Sequence, residues 1–260
     1  MNKSAFYRAL GNDRYEPLTP ATGSWNRSHQ NGVAIGGLLA HAVEAAPSRS
    51  PMRTTRLTVD IMKPAPFQPV ETRVTIIRDG ARMQLLDAEM VADGTVVARA
   101  SAMRVRLAET PAEADLTLDL PSPEDAPRKP ITSVLDAGHP METRLVRGSP
   151  RESGPGGFWT TFNADLVEGY EMPTLVRATM AADVASAPSS IVEKGKWSFA
   201  NIDLSLYLAR QPVGEWVLVD AVTLSGGAGV GLVNAVLADQ RGVFGRSHQT
   251  LFLAPIERVA

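Results

Sequence analysis

The sequence predicts an α+β chain of two similar halves, each made of one helix followed by antiparallel strands. Two observations support this fold class. Asp-Gly pairs at positions 79–80 and 93–94 interrupt runs of alternating apolar residues, a strong hairpin signal. Features of the first half also recur later at a steady offset of about 147 residues, as between Arg99 and Arg246 (246 − 99 = 147).

Composition bounds the function classes. With 260 residues, 44% hydrophobic and a net charge of −2, the chain suits one large domain or two small ones with a substantial core. It has no apolar run long enough to span a bilayer and no signal-peptide core at its start, so we expect a soluble, cytoplasmic protein without a membrane partner. It has no cysteine, four scattered histidines and no Lys/Arg cluster; we therefore expect neither a metal nor another cofactor, and no nucleic acid.

In the first half, residues 31–48 form a predicted helix with an apolar stripe. Gly36 and Gly37 are predicted to open it, and glycines at a helix start let an oxyanion or phosphate approach backbone N–H groups. This makes both candidate substrate-binding residues. The alternative, a flexible entry to a core helix, is favoured by residue type alone.

Strands are predicted after this helix, at residues 56–64, 70–78, 83–91 and 95–107. Residues 109–130 then carry five prolines and an acidic balance, which indicates an exposed linker. The predicted organisation is an N-terminal unit over residues 1–108, a linker over 109–140 and a C-terminal unit over 141–260.

The second half repeats the strands, at residues 201–208, 216–224, 231–238 and 243–253. A glycine-rich stretch at 225–229 is predicted to be a hairpin turn. It lacks the lysine and the following helix that a phosphate-binding loop needs.

A lone acid, Asp183, lies in a small, apolar helical segment predicted over residues 171–188. A buried carboxylate costs several kcal/mol unless it is hydrogen-bonded or used for chemistry. The 147-residue offset places Gly36 opposite Asp183, so the acid is expected in one half only.

Two more polar residues occur in the second half alone. Asn201 stands opposite Thr54 and Gln249 stands opposite Ala102. Period-two alternation is expected to put Asn201 on one strand face with other polar residues, namely Asp203, Ser205 and Tyr207. Each residue is weak evidence by itself, but with Asp183 they predict one catalytic site.

With these stretches in view, the chain resembles the acyl-CoA thioesterase II family and its thioesterase-like relatives. The likeness spans nearly the whole chain apart from the linker, and it is carried by IGGLLAHAVEAA, LTVDIMKPAP, MAADVAS, NIDLSLYLARQPVGEW and GRSHQTLFL. The resemblance implies a double hot dog fold, two tandem units each with a central helix wrapped by a curved antiparallel sheet. It also implies hydrolysis of acyl-CoA thioesters to free acid and coenzyme A, with a homo-oligomer as a plausible assembly.

The resemblance assigns the site as well. In that family an Asp, a Thr and a Gln hold and activate the hydrolytic water. Asp183 and Gln249 stand at the first and last of these positions, whereas Asn201 replaces the Thr with a larger amide that has no hydroxyl. Asp183 would be the general base, and the two amides would position the water.

Rival readings remain open. A non-catalytic acyl or acyl-CoA binding protein of the same fold is favoured by Asn201, and a purely structural duplicate would use its polar residues only to satisfy backbone groups. A hot dog hydratase would need a histidine shortly after Asp183, where the sequence has none. A serine hydrolase is disfavoured because no G-x-S-x-G stretch occurs.

Overall fold

The computed structural model describes residues 4–24, 26–110, 118–131, 140–149, 152–193 and 196–256. The helices are α1 (Gly32–Ala45) and α2 (Thr174–Asp183), the latter continued by a 3₁₀ turn at Val184–Ser186. The first-half strands are β1 (Ser4–Gly11), β2 (Arg14–Pro17), β3 (Met52–Ile61), β4 (Val70–Asp79), β5 (Met83–Ala92) and β6 (Thr95–Arg106). The second-half strands are β7 (Met141–Arg147), β8 (Gly156–Phe162), β9 (Ala164–Val167), β10 (Trp197–Asn201), β11 (Asp203–Leu208), β12 (Val217–Gly227), β13 (Val230–Asp239) and β14 (Gly242–Pro255).

One large sheet contains all of these strands, in the order β7-β8-β12-β13-β14-β11-β3-β6-β5-β4-β2-β1-β9, with β10 also paired to β14. The two halves meet where β3 pairs antiparallel with β11. There Thr58 lies opposite Ser205, its own counterpart in the repeat (205 − 58 = 147). A pseudo-twofold axis therefore passes between these two residues, and the predicted repeat is confirmed for the strands.

The two helices pack against each other and against opposite halves of the sheet, α1 on β3 to β6 and α2 on β8 and β11 to β13. Within the described ranges, neither is long and apolar enough to cross a membrane. Glycines permit the close approach of α1 to α2. A Cβ on Gly37 would lie 2.9 Å from side-chain atoms of both Leu166 and Met180, and one on Gly36 would lie 3.4 Å from the Thr179 methyl group.

The prediction that Gly36 and Gly37 open the first helix is wrong, because α1 begins at Gly32. The repeat is also not uniform. β5 and β13 begin 147 residues apart (230 − 83), but α1 and α2 begin 142 residues apart (174 − 32). Gly36 is therefore not the counterpart of Asp183. Counting from the helix starts, that position is His41 (183 − 142), which carries no carboxyl group.

Most of the predicted linker residues that the structure describes at 118–131 are exposed, as expected, but the segment also packs on the second half. Ala126 and Ile131 are buried. The indole Nε1 of Trp159 donates a hydrogen bond to the Pro121 carbonyl oxygen at 2.8 Å. The few apolar residues among the prolines pack against the second half. The acidic, proline-rich composition of the segment gave no indication of this contact.

Candidate active site

Asp183 is the last residue of α2 and is only 9% exposed. Burial raises the pKa of its carboxyl group to about 6, and a hydrogen bond from Asn201 works in the opposite direction by favouring the charged form. The side chain is therefore a carboxylate near neutral pH that still has an appreciable affinity for a proton.

Asn201 contacts this acid directly, with its Nδ2 donating to Asp183 Oδ1 at 2.7 Å. A β-bulge directs the side chain there. Asn201 pairs with Leu251 of β14, but Ser205, four residues on, pairs with His248, only three residues back. The extra residue lies at the break between β10 and β11 and reverses the alternation of faces.

The predicted face assignment is therefore wrong for Asn201. It shares the inner face with its buried partner Leu251, while Tyr207 on β11 is 52% exposed on the outer face. The same irregularity occurs in the first half, between Thr54 and Arg56 on β3. Thr54 also points inward, and its hydroxyl donates to Glu44 Oε1 at 2.8 Å.

Gln249 lies on β14 directly behind the end of α2 and is 1% exposed. Its Nε2 donates to the carbonyl oxygens of Asp183 at 2.8 Å and Ala182 at 3.1 Å. Both amide hydrogens are thus used in holding the backbone that carries Asp183. Its Oε1 is buried and has no hydrogen-bonding partner among the described residues, which leaves one acceptor atom available.

The first half contributes the start of α1. A Cβ on Gly32 would lie 2.7 Å from Asp183 Oδ1 and 2.9 Å from Oδ2, so only glycine allows the carboxylate to sit against the helix end. Asn31 caps the helix by accepting the Ala34 N–H at 2.8 Å. Because the first N–H groups of a helix have no acceptor within it, those of Gly32 and Val33 remain available.

Sequence reasoning missed Gly32, although Asn31 just before an apolar run was a usable N-cap signal. Gly36 and Gly37 lie one turn further on, where N–H groups bond within the helix. A helix-start role toward an oxyanion therefore suits Gly32 and Val33 better.

A cavity of about 1060 Å³ opens beside these groups, and Asp183, Asn201 and Gly32 all border it. Both halves line it, with apolar side chains that include Phe6, Ile35, Met141 and Phe199. Gln249, Gly36 and Gly37 are not among the described residues that border it. Arg27 and Lys63 bring positive charge to the lining. Among the described residues no cluster of three or more His, Asp or Glu side chains is arranged to hold a metal ion.

Family models match both halves. The acyl-CoA thioesterase N-terminal domain matches residues 21–105, and the acyl-CoA thioesterase C-terminal domain matches residues 111–253. The chain belongs to the acyl-CoA thioesterase family. It is therefore a thioesterase-type enzyme, which confirms the resemblance noted in the sequence.

Solved structures support the fold. A tesB protein of Mycobacterium avium subs paratuberculosis has a TM-score of 0.70 at 15% identity, and an acyl-CoA thioesterase II, TesB2, of Mycobacterium marinum has 0.68 at 16%. A conserved protein with a hot dog fold from Alicyclobacillus acidocaldarius has 0.71 at 17%. Each alignment covers 96% of this chain and 96% of the other. A search of curated protein sequences found no match.

Proposed function

We propose that this thioesterase hydrolyses acyl-CoA thioesters to the free acid and coenzyme A, with Asp183 as the general base. One observation carries the proposal. The buried carboxylate of Asp183, whose pKa is raised, lies beside a large cavity, next to the amide of Asn201 and the start of α1. The fold that fits is a double hot dog, since each helix packs mainly on the strands of its own half.

In the first step Asp183 removes a proton from water as the water oxygen attacks the thioester carbonyl carbon. Asn201 donates to Oδ1, which orients the carboxylate and leaves Oδ2 to accept from the water. Gln249 lies behind the residues that border the cavity, and both of its amide hydrogens are already used, so it would act through Oε1 by accepting the second water hydrogen. General base catalysis of this kind contributes roughly 10²–10⁴ in rate.

The tetrahedral intermediate carries its negative charge on the former carbonyl oxygen. The N–H groups of Gly32 and Val33 are the donors placed to stabilise it, and the dipole of α1 favours a negative charge at that end. Collapse of the intermediate breaks the C–S bond, and protonated Asp183 can return its proton to the departing thiolate. The products are then a carboxylic acid and the coenzyme A thiol.

Substrate binding divides along the cavity. The acyl chain suits the apolar part, next to Phe6, Ile35 and Phe199, whereas the phosphates of coenzyme A suit Arg27 and Lys63. Both basic side chains are exposed, as a binding site for a large charged leaving group requires.

The test is thiol release from a panel of short, medium, long and aromatic acyl-CoAs. Wild type is expected to hydrolyse at least one class, and Asp183→Asn is expected to lose about 10²- to 10⁴-fold in kcat. The matched control is Asp60→Asn on β3, where the carboxylate pairs with Arg99 of β6 at the surface; this variant should keep full activity. Binding of acyl-CoA without thiol release, or equal hydrolysis by Asp183→Asn, would favour an acyl-CoA binding protein instead.

A further inference from the structure

A second buried oxygen lies beside the one on Gln249. Ser247 is two residues earlier on β14, so both side chains point to the same inner face. Each residue is 1% exposed, and neither Ser247 Oγ nor Gln249 Oε1 has a hydrogen-bonding partner among the described residues. Leaving a buried polar atom unpaired costs about 1–3 kcal/mol, so two neighbouring ones require an explanation.

The repeat indicates that the fold does not require these two polar side chains, because the other half forms the same strand without them. The counterparts of Ser247 and Gln249 in β6 are Ala100 and Ala102 (247 − 147 and 249 − 147). Both alanines are buried, at 2% and 0% exposure. The same strand position in the same fold is therefore satisfied by methyl groups where no catalytic acid is present.

The strand neighbours of Ser247 offer its hydroxyl no hydrogen-bonding partner. Its partners across the sheet are Ala235 on β13 and Leu206 on β11, both apolar. Gln249 is the nearest polar side chain on its own strand face, and its Oε1 has two lone pairs. One lone pair can serve the hydrolytic water, which leaves the other for a donor on the side of Ser247.

We propose that Ser247 is a positioning residue for the hydrolysis, acting on Gln249 through a buried water molecule that bridges Ser247 Oγ and Gln249 Oε1. Side chains two apart on a strand start about 6.6 Å from each other, which suits a bridge of two hydrogen bonds. The water fixes the Gln249 amide with its oxygen toward the hydrolytic water. The inference rests on the proposed function of Asp183 for its effect on rate, but the bridge itself can be observed directly.

The direct test is a crystal structure of the wild-type protein at a resolution that shows ordered water. The expected result is one water within about 3.2 Å of both oxygens, absent in Ser247→Ala. A direct bond from Ser247 Oγ to another protein group, or a dry gap between the two oxygens, would overturn the proposal. This readout does not depend on finding a substrate.

The kinetic test is a double-mutant cycle of Ser247→Ala with Gln249→Ala. Ser247→Ala alone is expected to lower kcat about three- to tenfold, the weight of one neutral hydrogen bond, with KM and the melting temperature unchanged. In the Gln249→Ala background it should cause no further loss. Ala100→Ser, the mirror change in β6, is the control and should leave kcat as it is.

These outcomes separate the two proposals. If Asp183→Asn abolishes hydrolysis while Ser247→Ala keeps full kcat, the role of Ser247 is wrong and the general-base mechanism stands. If Asp183→Asn hydrolyses as well as wild type, the mechanism is wrong and the crystal structures alone decide whether the water bridge exists. An equal loss from Ser247→Ala with and without Gln249 would refute action through that amide.

Discussion

Replacing Asp183 by asparagine should make the protein more stable at neutral and alkaline pH while removing its activity. The native pKa of about 6 lies above the ordinary value of 3.8 because burial penalises the charged form. The folded protein therefore binds this proton more tightly than the unfolded chain does. Stability from this group is complete below about pH 4 and is lost as the pH rises through 6.

The size of the effect follows from the shift. A change of about two pKa units corresponds to about 3 kcal/mol at 1.36 kcal/mol per unit. The dipole at the start of α1 favours the carboxylate, but Asp183 also ends α2, whose dipole opposes it, so the two effects offset each other. The stability difference between Asp183→Asn and wild type should therefore be about 3 kcal/mol more favourable to the variant at pH 8 than at pH 4.

Urea unfolding of both proteins at pH 4, 5, 6, 7 and 8 measures this difference. The gap between the variant and wild type should open between pH 4 and pH 6 and stay constant above about pH 7. A gap that does not change with pH, or that grows toward acid, would refute the view that desolvation dominates at Asp183. Activity measured on the same samples should be lost at every pH.

Three further results are expected. The value of kcat/KM should fall tenfold per pH unit below about pH 6 as Asp183 becomes protonated, with a plateau above it; a profile that stays flat to pH 5 would contradict Asp183 as the base. Gly32→Ala should lower kcat at least tenfold, because its Cβ would lie 2.7 Å from the Asp183 carboxylate. Gly36→Ala is the control, because its Cβ would meet only the Thr179 methyl group at 3.4 Å, and it should leave kcat nearly unchanged. Equal kinetics in the two variants would refute the helix-start arrangement. Replacing Arg27 and Lys63 together by alanine should raise KM for acyl-CoA and leave kcat intact, and the loss should shrink in high salt; an unchanged KM would place the phosphates elsewhere.

The sequence was most informative where periodicity and turns decide structure. The hairpins at 79–80 and 93–94 and the repeat of strands are found as predicted, because alternating apolar residues and Asp-Gly turns act locally. The approach of Asn201 to Asp183 was also expected, both from the polar residues found in the second half alone and from the likeness of short stretches to a known family. Its catalytic use remains a prediction.

Other features depend on contacts between distant segments and could not be read from the sequence pattern. An extra residue in one strand reverses every later face, so strict alternation misplaced Asn201. The site also needs Gly32, which lies 151 residues before Asp183 (183 − 32) and meets it only through helix packing. Apolar residues of the segment 118–131 find their partners on the second half, a contact that composition does not encode.

The bulge has a consequence for how the two halves came to differ. Because it is repeated on β3, where Thr54 turns inward as Asn201 does, the backbone that aims a side chain at the helix end exists twice. The two helices, however, begin 142 residues apart while the strands repeat at 147, so the halves differ in the path of the chain at the helix starts as well as in side chains. A designer seeking a second reaction centre in this fold would therefore have to rebuild the start of α2, where Pro173 stands in the cap position, in addition to exchanging residues such as His41 and Ala102.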